Sequence, residues 1–321
     1  MSTSGVVLAT GGYGSIISFW DASTGKTTRD VSFVDSQVNV LSISPDKLRL
    51  AAGGNPKVRL FETSSNNPNA VNEFEGHTSN VTSLGFQKDA RWIYSGSEDG
   101  TIRIFDARAG AVQRTYETKN KIGVNSVALH PNQAQLLSAD NGGSVRVWDL
   151  IADKMLCQVK PELDDVSMRS VAVASNGSAI VACNNVGHCM LWKMDSLQSI
   201  NVLGAPISIK KVHDTYCLKV QFSPDVSKIA TASADKTVRL WETPQLDKPK
   251  VDWTSDMVLS GHNRLVHDMA FSADSSYLVS ACSDGSARLW DLSNGKMIRQ
   301  YTCAGSSKAI VAVALNDSAS D

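Results

Sequence analysis

The sequence predicts an all-β chain folded as a seven-bladed β-propeller, with blade 1 closed by the C-terminal strand. Three observations carry this expectation. A strand ending in an aromatic followed by an acidic or polar residue recurs at Trp20-Asp21, Phe61-Glu62, Phe105-Asp106, Trp148-Asp149, Trp192-Lys193, Trp241-Glu242 and Trp290-Asp291. Successive aromatics stand 41, 44, 43, 44, 49 and 49 residues apart, which is the period of a blade of four short strands. Helical periodicity of useful length is absent, whereas strand alternation is plain in Val145-Arg146-Val147-Trp148.

The elements follow in order. Residues 6–10, 16–20 and 27–33 read as strands, so the first blade lacks its innermost strand. At the other end, after an outer strand near 297–302, one strand is left over at 308–315. It supplies the missing strand, so blade 1 is expected to comprise residues 5–34 plus 308–316, blades 2–7 residues 36–304, and residues 1–321 a single propeller. Such closure removes two open sheet ends that would invite aggregation. Each repeat between holds an inner apolar strand, a turn and a second strand, as in blade 3 over 80–87, Lys88-Asp89-Ala90 and 91–97. Ser44-Pro45-Asp46, His130-Pro131-Asn132 and Ser223-Pro224-Asp225 hold the same phase, where proline presets φ and Asp or Asn accepts local backbone bonds. Two connections are longer, 194–214 and 243–260, the second carrying Pro244, Pro249 and an out-of-phase Trp253. They read either as contact loops on a rigid scaffold or as long outer strands with solvated loops.

Composition narrows the function classes. The chain is 42% hydrophobic and 20% charged, and 31 Lys and Arg nearly cancel 32 Asp and Glu. No global field draws it to nucleic acid or an acidic membrane, so neither is expected as principal partner. MSTSGVVLAT lacks a basic n-region and is not read as a signal peptide, and no window approaches the apolar length of a membrane span. The six cysteines (Cys157, Cys183, Cys189, Cys217, Cys282 and Cys303) form no CxxC pair and read as buried reduced thiols. Asn80-Val81-Thr82 and Asn176-Gly177-Ser178 match the glycosylation sequon by chance in a chain expected to be cytoplasmic.

The stretch 280–292, SACSDGSARLWDL, with Gly261-His262 upstream of it, resembles one blade of a WD-repeat (WD40) propeller. The resemblance implies a structural tetrad: a His, a Ser or Thr four residues before a turn Asp, that Asp, and a Trp six after it. Blade 7 has His262, Ser280, Asp284 and Trp290, and blade 6 has His213, Thr231, Asp235 and Trp241. Blade 3 has His77, Ser95 and Asp99, but Phe105 replaces the tryptophan and loses the indole donor. Blades 1, 2, 4 and 5 put Gly14, Asn55, Gly142 and Val186 at the Asp position and are expected to rely on packing. A Ser-His-Asp triad occurs once, beside an oxyanion hole; these sets recur at blade period and read as internal fastenings. His130 and His188 read as turn or surface residues. No phosphate loop, metal cluster or acid–base carboxylate pair stands out, so neither enzyme activity nor a cofactor is expected.

Positions that do not repeat are where a partner would bind. Aligning the inner strands and reading six and four residues back gives Gln37/Asn39, Asn80/Thr82, Gly123/Asn125, Ser167/Arg169, Tyr216/Leu218 and Leu265/His267 for blades 2–7, and Ala309/Val311 for blade 1. The ring is polar on blades 2 to 5. On blades 6, 7 and 1 it forms an apolar arc, with the composition of an interface core and rim. Channel lining is the competing reading.

Several stretches resemble one propeller family: the opening GVVLATGGY, Asp35-Ser36-Gln37-Val38-Asn39, Asn66-Asn67-Pro68-Asn69, LHPNQA at 129–134, FSPD at 222–225 with SADKTVRLW, and the ending AVALNDS. The family is the small propeller subunit of the TOR (target of rapamycin) kinase complexes, the lethal-with-SEC-thirteen or G-protein-β-like family, and the resemblance covers essentially the whole chain. It implies a non-catalytic subunit of TOR complexes 1 and 2, beside raptor-type and rictor-type subunits. That subunit docks as a monomeric propeller on the C-lobe of the kinase domain and supports its active site. The implied location is cytoplasmic, peripheral on endolysosomal or vacuolar membranes through the complex, and the implied output is growth and cytoskeletal control. It also places docking at Gln37 and Asn39 and on the last blades, in the sector of Tyr216, Leu218, Leu265, His267, Ala309 and Val311. Leu265 and His267 stand where the family leads one to expect bulky aromatics. A second reading comes from Phe105-Asp106-Ala107-Arg108, which resembles the WDxR box attaching substrate-receptor propellers to a cullin-based ubiquitin ligase. A general scaffold without either partner is a third.

Overall fold

In the strand Val145–Asp149 every residue through Trp148 is buried, the charged Arg146 included. Both faces of such a sheet must therefore be covered, which happens when sheets stack side by side around an axis. The computed structural model describes residues 6–161, 166–194, 199–247, 251–302 and 308–316. Its strands form seven antiparallel four-stranded sheets, the blades of a propeller. The inner strands are Ile310–Asn316 for blade 1, then Val40–Ile43, Val81–Phe86, Val124–Leu129, Met168–Val173, Cys217–Phe222 and Val266–Phe271.

Closure uses the C-terminal strand. Ile310–Asn316 pairs antiparallel with Val7–Gly12, with Val7 opposite Asn316 and Gly11 opposite Ala312. The register shifts at Gly12, where an added Cβ would lie 2.0 Å from the Ala309 carbonyl oxygen. Only glycine fits so close an approach, which gives the sequence GGYG its physical reason. The strand packs between Val266–Phe271 and Val40–Ile43, completing the ring.

The core is divided among the seams between neighbouring blades. Phe19, Phe33, Leu50 and Phe61 fill the seam of blades 1 and 2, and Trp20, Val279, Tyr301 and Val313 that of blades 7 and 1. Aromatics meet edge-on in these seams, Trp20 with Tyr301 at 5.5 Å and Trp241 with Trp253 at 6.1 Å. Guanidinium groups bridge the exposed edges of the seams: Arg29 lies 4.2 Å over Phe19 and donates to the Glu62 carbonyl at 2.7 Å.

Among the described residues the two long connections are not elongated strands, and they carry buried as well as exposed side chains. Each folds back over the seam with the preceding blade. Ile200 and Leu203 are buried against Leu137 and Val147 of blade 4. Gln135, fully buried, holds Ile200 by both backbone groups, accepting from its N–H at 2.8 Å and donating to its carbonyl at 3.0 Å. In the next connection Leu246, Val251 and Trp253 pack on Val181 and Leu191 of blade 5, and the Trp253 indole donates to Ser208 Oγ at 3.0 Å. The outer strands that follow are short, Ser208–Lys211 and Ser255–Leu259.

Candidate functional site: one face of the ring

The repeated polar residues come first, because they occupy the chemistry-bearing groups. In blade 7 the Trp290 indole donates to Ser280 Oγ at 2.8 Å, Ser280 Oγ lies 2.6 Å from His262 Nε2, and His262 Nδ1 faces Asp284 at 3.5 Å. Blade 6 repeats the relay with Trp241 to Thr231 at 3.2 Å, Thr231 to His213 at 2.8 Å and His213 to Asp235 at 2.8 Å. Blade 3 keeps His77 at 2.7 Å from Ser95 and 2.9 Å from Asp99, with Phe105 closing the packing and Thr101 added to the carboxylate at 2.6 Å. Burial alone would raise the Asp235 and Asp284 carboxyls, but hydrogen bonds from His213 and Thr237, and from Ser286 and the Asn263 amide, bring each down to about 2. Burial and the Arg288 charge lower His262 to about 4 against the pull of Asp284, so its ring stays neutral.

Two expectations need correction. Blades 1 and 4 do not rely on packing alone: Trp20 donates to Thr10 at 2.8 Å and Trp148 to Ser138 at 2.9 Å. A hydroxyl ten residues before the tryptophan is the signal, and Ala51 and Ala182 lack it in blades 2 and 5, though the Trp192 indole of blade 5 donates instead to the Gly204 carbonyl at 2.9 Å. His130 sits in its turn but is fully buried, its Nδ1 accepting from the Asn132 amide at 3.2 Å. His188 is half-buried. Of the thiols, Cys183, Cys189, Cys217 and Cys282 are buried and Cys157 is half-buried, while Cys303 lies outside the described residues. Among the described residues one trio, His262, Cys282 and Asp284, brings three metal-type ligand atoms together. It does not fit a cation: Arg288 Nη2 stands 3.4 Å from the Asp284 carboxylate, and burial pushes the Cys282 thiol up to about 11.

The starts of the inner strands converge on one mouth of the central channel, a cavity of about 240 Å³ lined by Asn39, Thr82, Asn125, Arg169, Leu218, His267 and Val311. The polar side is prefastened across blades. Gln37 donates to Asn39 at 3.0 Å, Asn39 to Asn80 at 3.4 Å and Asn80 to Glu98 at 2.8 Å. Asn125 reaches Asn141 at 2.8 Å and Ser167 at 3.1 Å. Such amides keep donors and acceptors oriented, so a partner's backbone can be bound with little ordering cost. Lys219 and the buried Asp268 pair at 3.2 Å deeper in the channel.

The apolar arc is narrower than its residue types suggest. Tyr216 and Leu265 are exposed, at 56% and 37%. Leu218 and Ala309 are half-buried, and Val311 is buried in the channel wall because its strand turns that face inward. His267 is half-buried, 2.5 Å from Ser283 Oγ, and held in its neutral form by burial and by Arg169 against Asp268. Tyr13, 49% exposed, joins the same mouth. It occupies in blade 1 the turn position of Glu98 and Asn141, a second non-repeating set that the strand alignment did not reach. On the opposite face, Arg108 is exposed, and the Asp106 carboxylate accepts from the Arg108 and Ala109 amides at 2.8 Å each.

Residues 2–192 match the family described as nucleolar protein 10-like, N-terminal domain, a β-propeller domain, and residues 204–242 and 253–291 match the WD domain, G-beta repeat. Over 312 residues the chain is 46% identical to target of rapamycin complex subunit wat1 of Schizosaccharomyces pombe, covering 97% of this chain and 96% of that one. It is 44% identical to the complex subunit LST8 of Saccharomyces cerevisiae, covering 97% and 99%. The Bos taurus LST8 is 39% identical over 239 residues, covering 74% and 73%. The β-propeller domain of Myceliophteria thermophila Cps50 (Swd1) superposes with a TM-score of 0.71 at 15% identity, over 84% of this chain and 87% of that one, a likeness of fold alone.

Proposed function

The chain belongs to the LST8 family of target of rapamycin complex subunits, and from that premise we propose that it is a non-catalytic subunit of TOR complexes 1 and 2 that docks on the C-lobe of the TOR kinase domain. The observation that carries the reading is the match to two yeast subunits across 96% and 99% of their lengths, which leaves little of either unmatched. The mouth bearing Gln37, Asn39, Tyr216 and Leu265 is the docking surface in this reading. Its fixed amides offer oriented hydrogen bonds, and Tyr216 and Leu265 offer apolar anchors whose burial would supply most of the affinity. A propeller so placed supports the kinase active site as a rigid brace, beside raptor-type and rictor-type subunits, and raises output to growth and cytoskeletal control. No helix among the described residues is long and apolar enough to cross a membrane. The working location in this reading is the cytoplasm, with membrane association through the complex.

The test is co-elution of purified TOR kinase with the full chain. Tyr216→Ala combined with Leu265→Asp should abolish capture with an unchanged melting curve, because both side chains are exposed. Retained capture by the double variant would remove the docking assignment, and failure of the unaltered chain to co-elute would remove the TOR reading. Arg108→Ala should leave kinase capture unchanged; capture of a cullin-ligase adaptor dependent on Arg108 would transfer the function to the second reading.

A further inference from the structure

The seam between blades 5 and 6 gathers three thiols that neither the relays nor the channel mouth employs. Cys183, Cys189 and Cys217 are fully buried there, among Val181, Leu191 and Val220. Cys183 and Cys189 stand directly opposite each other on the strands Ala179–Asn184 and His188–Lys193. The kind of rung they occupy decides what the pair can do. The Met194 amide donates to the Ser178 carbonyl at 2.8 Å, so that rung is hydrogen-bonded. Bonded and open rungs alternate along an antiparallel pair, and the Cα atoms of an open rung lie about 4.5 Å apart. Counting up from Ser178, Ile180 with Trp192 and Ala182 with Met190 are bonded rungs, which makes Cys183 with Cys189 an open one. Its two side chains share one face of the sheet, within the roughly 4.4–6.8 Å between Cα atoms that a disulfide spans.

Two further features set this pair apart from inert core cysteines. Burial opposes charge on all three thiols, but hydrogen bonds from Cys189 and Cys217 and the nearby His213 ring bring Cys183 well down, while Cys189 and Cys217 are driven up. Cys183 is thus the thiol that yields a nucleophilic thiolate most readily. The pair also lies just below the surface. One rung beyond it the chain turns, and Val186 in that turn is 39% exposed. The turn is tied down by few bonds: the Gly187 carbonyl accepts from the Val212 and His213 amides at 2.8 and 3.2 Å, and the Asn185 amide donates to the Ser167 carbonyl at 3.0 Å. Their release with one rung uncovers both sulfurs, a local opening that leaves the other blades closed.

We propose that Cys183 and Cys189 form a reversible disulfide when the chain meets a hydroperoxide, which makes this hairpin a site of oxidative modification. The Cys183 sulfur attacks one peroxide oxygen, the O–O bond breaks, and the other oxygen leaves with the Cys183 proton as water or an alcohol. The Cys189 sulfur then attacks the sulfenic acid on Cys183. The S–S bond forms, the S–O bond breaks, and the hydroxyl departs as water with the Cys189 proton. An added dithiol reverses the change by exchange and takes the disulfide on itself. Disulfides of reducing compartments are of this transient, redox-sensing kind. The modification does not rest on the kinase-docking reading.

The test treats the folded full chain with hydrogen peroxide, labels the remaining thiols with N-ethylmaleimide in denaturant, and maps tryptic peptides by mass spectrometry without reduction. Cys183 and Cys189 share the peptide 170–193, whereas Cys217 falls in 212–219. Peptide 170–193 should appear lighter by two hydrogens and free of maleimide, with Cys217 labelled, and dithiothreitol should restore both labels. Cys189→Ser should abolish the lighter peptide, and Cys189→Ala, which brings no hydroxyl into the seam, should do the same with the fold retained. Cys157→Ser, at a half-buried thiol of blade 4, should leave it unchanged. Both labels retained at a peroxide dose that converts the exposed Met297 to its sulfoxide would overturn the proposal. So would a bond joining 170–193 to 212–219, or a lighter peptide obtained only from chain unfolded in urea.

Discussion

Ser280→Ala should destabilise the protein more than Trp290→Phe, although it removes a single oxygen. Ser280 Oγ sits at the centre of the blade 7 relay, accepting from the Trp290 indole at 2.8 Å and lying 2.6 Å from His262 Nε2. Because the indole donates to that oxygen, the serine hydrogen goes to the imidazole. Alanine leaves both partners buried and unpaired, at about 1–3 kcal/mol each, so the loss is roughly 2–5 kcal/mol. Phenylalanine at 290 removes one donor and part of a ring, for about 1–2 kcal/mol, and blade 3 already folds with Phe105 there. At about 2.1 cal/mol/K of unfolding entropy per residue, 321 residues convert 1 kcal/mol into roughly 1.5 °C. Calorimetric melting should thus fall by about 3–8 °C for Ser280→Ala and about 2–3 °C for Trp290→Phe. A packing account predicts the reverse order, since serine and alanine nearly match in volume. Observation of that reverse order would refute the relay as the fastening.

Three further outcomes follow from the same geometry. Deleting residues 306–321 removes the Ile310–Asn316 strand, exposing the edges of Val7–Gly12 and two neighbouring seams; the truncated chain should be insoluble or unfolded at 37 °C, and an unchanged melting curve would disprove closure. Acid should destabilise in two stages: His262, at about 4 against 6.5 unfolded, contributes fully above pH 6.5 and loses its contribution as pH falls toward 4. His130, His188 and His267, lowered chiefly by burial, add with the same sign. Asp235 and Asp284, at about 2 against 3.8, contribute above pH 4 and are lost toward pH 2. A melting temperature flat between pH 6.5 and 4.5 would contradict a buried neutral His262. Trp253→Ala should cost about 3–5 kcal/mol, read as a lower midpoint in urea, while kinase capture stays intact; loss of capture at native stability would assign the loop a docking role.

The repeated features were legible because they are dictated locally. A blade cannot bury its own faces, so each copy must carry the same strand lengths, turn and aromatic, and seven phased copies declare the propeller. The C-terminal strand was legible by counting, since the first blade lacked a partner. The covers over the seams were not. Gln135 and Ile200 are 65 residues apart and meet only because one connection folds back over the preceding blade. Nothing in 194–214 marks its direction, as Ile200 and Leu203 would serve an outer strand equally well. Tyr13 escaped for a related reason: a turn residue in one blade and strand starts in the others meet at the mouth only once the ring is closed.

That division has a mechanical consequence. Residues that repeat have their polar atoms spent on one another, so changing them alters stability and leaves no recognition group behind. Among the residues that differ between blades, the exposed side chains of Tyr216 and Leu265 stay open to a partner. A propeller is rigid between its faces, since every seam is packed, so a ligand on one face has no bistable element through which to loosen the other.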